Sequence, residues 1–87
     1  MIRISFKPSF IHQAQKLEKE LFDELLEKIE ALKNPENHLQ LKVHKLHGRL
    51  TGCYGFSISY NIRVIFQYES KQEAVLLAIG DHDIYKN

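Results

Sequence analysis

The chain begins with a period of two. Ile2, Ile4 and Phe6 alternate with Arg3, Ser5 and Lys7, which predicts a half-buried strand that Pro8 brings to a stop. Ser9 is placed to cap a helix there. The period then lengthens. Phe10, Ala14 and Leu17 keep helical spacing, as do Leu21, Phe22, Leu25, Leu26, Ile29 and Leu32, while Glu20, Asp23, Glu24, Glu27 and Glu30 occupy the opposite face. The stripe shifts phase at Glu18-Lys19-Glu20. Residues 9–33 are therefore either one helix of about 37 Å at 1.5 Å per residue or a two-helix hairpin, and the hairpin suits a small domain better. Asn34-Pro35 ends the helical region, because a residue before proline avoids helical angles.

Residues 34–41 read as loop. Leu41-Lys42-Val43-His44-Lys45-Leu46-His47 predicts a strand with mixed faces, and Gly48, Gly52 and Gly55 punctuate the stretch after it. Tyr54, Phe56, Ile58 and Tyr60 alternate with Gly55, Ser57 and Ser59, so one face of this strand is large and apolar while the other is small. Small side chains on that second face would leave a shallow groove. Asn61 stands where a tight hairpin turn needs a residue tolerant of positive φ, ahead of the strand Arg63–Tyr68. Glu69–Glu73 is a polar turn. Ala74-Val75-Leu76-Leu77-Ala78-Ile79-Gly80 then runs without a charge, apolar in both alternating sets, as a strand covered on both faces does. It predicts the central strand of the sheet. One strand, a helical segment and four strands on short connections make an α+β domain, β-α(α)-β-β-β-β, with helices packed on one face of a small, largely antiparallel sheet.

The 87 residues suffice for one core and one domain, 1–87, burying about 60–65% of the unfolded surface. Cys53 is the sole cysteine, so no intrachain disulfide forms, which fits a reducing cytosol. The stretch before Pro8 is too short and polar for a signal peptide, and no window approaches a membrane span. A cytoplasmic protein without a membrane role is expected.

Net charge is only +1, but its distribution is uneven. No carboxylate falls between Glu36 and Glu69, a window holding Lys42, Lys45, Arg49 and Arg63 together with His38, His44 and His47. Most of the acid precedes it, from Glu18 to Glu36. A basic sheet surface backed by an acidic helical one is expected, with Lys42, Lys45 and Arg49 as candidate phosphate contacts. Solvated surface charge is the plainer account of the same run.

Three places could supply chemistry to the groove: Val43 to Gly48, Arg63 at its strand start, and His82 with Tyr85 just past the last strand. In an antiparallel sheet, the start of one strand lies beside the end of its neighbour. Cleavage of RNA by its own 2′-hydroxyl needs a base, a cation for the crowded phosphorane and an acid for the leaving 5′ oxygen. Histidines and an arginine supply these near neutral pH without metal or cofactor. An aromatic ring can stack an unpaired base. Asp81 and Asp83 could orient His82. A zinc site from His44, His47, His82 and Asp83 lacks paired-ligand spacing on one element.

The run Leu46-His47-Gly48, then Tyr54, then Arg63-Val64-Ile65-Phe66, then Ile79–Tyr85, resembles the RelE/ParE toxin superfamily, and within it the RelE- and YafQ-type mRNA interferases. The match extends to Lys7-Pro8-Ser9-Phe10 and the Asn34-Pro35 helix exit. The resemblance implies the toxin of a type II toxin–antitoxin system. Such a toxin cuts mRNA on the ribosome as an endoribonuclease and is held inactive by a cognate antitoxin. By position it implies catalytic roles for His44 (a histidine of the YafQ type), His47 (a basic residue of the RelE type), Arg63, His82 and the aromatic Tyr85. Gly55, Ser57 and Ser59 stand where the RelE type has basic residues, and Ile58 and Ile62 where the YafQ type has a histidine and an aspartate. The alternative is a ParE-like inhibitor of gyrase, or a catalytically weak homologue that only binds its antitoxin. An acidic antitoxin segment is expected over the carboxylate-free surface.

Overall fold

The computed structural model describes residues 1–81, 83 and 84. Among them the chain forms five strands and three helices: β1 (Arg3–Phe6), α1 (Pro8–Ala14), α2 (Lys19–Leu32), α3 (His38–Leu41), β2 (His44–Lys45), β3 (Tyr54–Ser57), β4 (Arg63–Ser70) and β5 (Glu73–Gly80). The sheet order is β1-β5-β4-β3-β2, with β1 parallel to β5 and the other pairs antiparallel. The α+β layout expected from the alternating and helical periods is present. The helical region is two helices, broken at 15–18 where the apolar stripe changes phase. No described helix is long and apolar enough to cross a membrane.

Register sorts the sheet residues into two faces. Phe56, Val64 and Ile79 lie side by side, as do Tyr54, Phe66 and Leu76, and Tyr68 and Ala74. These rows join Phe10 and Ala14 of α1 and Leu25, Ile29 and Leu32 of α2 in one core. The other rows, Gly55/Ile65/Ala78 and Ser57/Arg63/Gly80, turn away from it.

Strand β5 departs from its own sequence pattern. Strict alternation puts Ala74, Leu76 and Ala78 on one face and Val75, Leu77 and Ile79 on the other. Instead Ile65 pairs with Ala78 and Phe66 with Leu76, leaving Leu77 as an extra residue in a bulge. The bulge brings Leu76 and Ile79, three apart, onto the same core face. Strand β5 is interior, but the middle strand is β4, which corrects the expectation from the uncharged run.

β1 pairs with β5 only as far as Leu76. Beyond it the edge of β5 would be bare, and α1 covers it. Ser9 Oγ donates to Leu77 O at 3.0 Å, and Gln13 Oε1 accepts from Ile79 N–H at 2.9 Å. Ser9 therefore does not cap α1, which starts at Pro8 after Lys7 with no side-chain cap. It and Gln13, one turn apart, stand in for the missing strand. Gln13→Ala leaves the Ile79 N–H without its partner in a part-buried place. It should lower unfolding free energy by about 1–2 kcal/mol in urea titration.

The stretch read as loop is a second departure. Asn34 caps a 3₁₀ turn over Pro35–Asn37, its side chain accepting from Glu36 N–H, and α3 comes directly after it. This segment closes the end of α2, whose last carbonyls lack helical partners. Asn37 Nδ2 donates to Ala31 O, His38 Nε2–H donates to Leu32 O at 2.8 Å, and Ile2 N–H donates to Lys33 O. A carbonyl only accepts, so the hydrogen sits on His38 Nε2 in the neutral ring. The Tyr68 hydroxyl, 3.3 Å away, donates to Nδ1. Burial, and then the neighbouring Tyr54, push the Tyr68 phenol above its ordinary pKa, which keeps it a donor. His38 thus fixes α3 between α2 and β4.

The strand expected over 41–47 is only His44–Lys45, and the strand expected to Tyr60 ends at Ser57. Residues 58–62 form a wider turn closed by Ile58 N–H donating to Ile62 O, and Tyr60 is 90% exposed on it. Asn61 does not take positive φ. The described non-glycine residue that does is Lys42, at φ 61° and ψ 40°.

Candidate functional site

A cleft of about 780 Å³ runs along the short-stranded edge of the sheet. It takes residues from both sides of that edge: Glu27 and Lys28 from α2, Lys42 and His44 from the end of α3 and β2, and Ser57 and Arg63 from the outward row of β3 and β4. Each is delivered by a local cause. The His38 anchor sets α3, and α3 ends in a left-handed turn at Lys42, with Lys42 N–H on Leu39 O and Val43 N–H on His38 O. Two residues later His44 pairs with Gly55, which adds no side chain to the wall.

Arg63 opens β4 opposite both Ser57 and Gly80. A strand start thus lies beside its neighbour's end, as the antiparallel order requires. Its Nη1 donates to Ser57 Oγ at 2.7 Å and to Tyr60 O at 3.1 Å. Both partners are neutral, so these two bonds orient the guanidinium without neutralising it. Among the described residues the ion pairs are Arg3–Glu73, Lys19–Asp23 and Lys33–Glu30, all away from the cleft. Lys28, Lys42 and Arg63 thus face the cleft, with Glu27 as the one carboxylate among its described lining residues. The expected division between acidic helices and a basic sheet is not clean, because α2 contributes one residue of each sign. Nothing in the sequence singles out Lys28 as a site residue, since it is one more charge on the polar face of a helix.

His44 Nδ1 lies 2.9 Å from Lys42 O. His44 and Arg63 sit two strands apart in register and two residues along, so their Cα atoms are roughly 12 Å apart by strand spacings. Side chains of their length can reach toward one phosphodiester across that gap. His47 and Lys45 are not with them. They line a separate hollow of about 260 Å³ beside Cys53 and Tyr54. Arg49 is exposed on a 3₁₀ turn over Gly48–Leu50. His82 and Tyr85 lie outside the described residues. Their neighbours Asp81 and Asp83 line a third hollow with Arg63, Tyr60 and Asn61, and Asp81 Oδ1 accepts from Asp83 N–H. Gly80 permits this turn, since a Cβ there would stand 2.6 Å from Ile84 Cγ2.

The backbone is shared with proteins whose structures are solved. YafQ of Escherichia coli strain BL21(DE3) superposes with a TM-score of 0.81 over 100% of both chains at 12% identity. The chain has the RelE-like fold. The archaeal RelE–RelB complex of Pyrococcus horikoshii OT3 matches the fold with a TM-score of 0.74 at 22% identity, over 92% of this chain and 93% of that one. The YoeB–YefM toxin–antitoxin complex of Staphylococcus aureus gives 0.74 at 19%, over 94% and 98%. No family model and no curated protein matches the sequence.

Proposed function

We propose that this chain is the toxin of a type II toxin–antitoxin pair and cleaves mRNA on the ribosome in the cytoplasm. The gathering of Lys42 and His44, from one stretch of chain, with Arg63, from another, in one cleft whose described lining holds a single carboxylate supports the reading. In the proposed reaction His44 Nε2 accepts the 2′-hydroxyl proton as O2′ bonds to phosphorus. The bond from phosphorus to O5′ breaks. Arg63 stabilises the charge on the phosphorane oxygens, and Lys42 holds the flanking backbone. His82 is assigned the proton for the leaving O5′, and Tyr85 the stacking of a base, on the family pattern alone. His47, Lys45 and Arg49 belong to a secondary contact with RNA or ribosome. No cofactor enters the scheme. A cognate antitoxin with an acidic segment would inhibit by covering the cleft cations.

Induced expression should stop growth and leave translated mRNA cut to fragments with 2′,3′-cyclic phosphate ends. His44→Ala should slow that cutting about 10²-fold or more. Intact mRNA with stalled gyrase would overturn the reading in favour of the ParE-like one.

A further inference from the structure

Lys42 holds a backbone conformation that costs an L-residue roughly 1–2 kcal/mol and that glycine adopts freely. Ending α3 does not require a lysine, since glycine makes the same left-handed ending. The turn has a second consequence. It swings the Lys42 carbonyl onto His44 Nδ1, at 2.9 Å. Because a carbonyl only accepts, that contact requires the hydrogen to be on Nδ1, which leaves the lone pair of the neutral ring on Nε2. His44 and Lys42 line the same cleft as Arg63.

We propose that the main chain of Lys42 is a positioning element for His44: its left-handed turn fixes the imidazole as the Nδ1–H tautomer, with Nε2 as the proton acceptor in the cleft. Lys42 then has two separable parts. Its carbonyl sets the base, and its ammonium holds the RNA backbone beside the hydroxyl the base deprotonates. A lysine under backbone strain combines the two, whereas glycine would supply only the first. The catalytic consequence rests on the nuclease reading above; the tautomer does not.

The test is long-range ¹H–¹⁵N NMR of the full-length protein at pH 8, where an ordinary imidazole is neutral, with His44→Gln identifying the signal. Wild type should show hydrogen on Nδ1 and a bare Nε2. Lys42→Gly, which keeps the left-handed turn, should keep that pattern. Lys42→Val, whose branched side chain resists positive φ, should show both tautomers. In cleavage of ribosome-bound mRNA, Lys42→Gly should raise KM with kcat within about threefold. Lys42→Val should lower kcat by at least about tenfold as well. Hydrogen on Nε2 in the wild type overturns the proposal without any variant. A folded Lys42→Val protein that keeps the single tautomer also overturns it. The predicted tautomers without any cleavage by wild type would support the positioning role and count against the nuclease reading instead.

Discussion

Arg63→Ala should reduce mRNA cleavage by about 10²–10³-fold and release cells from growth arrest, the loss seen when one charge-stabilising donor is removed from a transition state. The effect is expected to fall on kcat, because charge accumulates on the phosphoryl oxygens only as the pentacovalent species forms. Arg63 also ties the 58–62 turn through Ser57 Oγ and Tyr60 O. The loss of that tether must be separated from the loss of charge. Ser57→Ala removes one tether and keeps the guanidinium, and should cost less than about tenfold. Arg63→Lys keeps charge but not the planar fork, and should fall between the two. If Arg63→Ala arrests growth as fast as wild type, the cleft is not where cleavage happens.

The largest stability loss should come from Phe66→Ala. Phe66 is fully buried on β4. Its ring centroid lies 5.4–5.9 Å from those of Tyr54, Phe56 and Tyr68, stacked on the first and edge-on to the other two. Truncation removes the transfer energy of the ring and leaves a cavity among rigid aromatic neighbours, together about 3–5 kcal/mol. A domain of 87 residues has only roughly 4–13 kcal/mol in total. Phe66→Ala should therefore lose most or all of its cooperative thermal transition, while Phe66→Leu should keep one at lower temperature. The same truncation frees Tyr68, which hydrogen-bonds His38. A mutant that does fold should show a loosened α3 and a slower nuclease. A Phe66→Ala protein melting within a few degrees of wild type would mean that this aromatic cluster is not the centre of the core.

How legible each element is in the chain depends on the range of the interactions that make it. Periods of two and 3.6 are local, so β1, α2, β4 and β5 are legible from single side chains and their neighbours. The phase slip at Glu18–Glu20 is also legible, but it leaves one helix and two as alternatives until the packing of α1 against β5 decides. The Asn34-Pro35 pair reads as a helix exit. It is equally the entry to a 3₁₀ turn, with asparagine as cap and proline in the first turn. A helix as short as α3 carries no periodic signature. It exists because Asn37 and His38 meet the open carbonyls of α2.

Residue type and spacing within one element suffice for the fold class, the apolar core positions and the uneven placement of charge, so these are written in the chain. Packing between distant segments settles the rest: His44 rather than His47 joins Lys42 and Arg63, Leu77 bulges so that Leu76 and Ile79 share a face, and Ser9 and Gln13 complete the edge of β5. Each of these turns on how separate elements pair and pack. Their register is set by where the segments meet, and neither segment carries it alone.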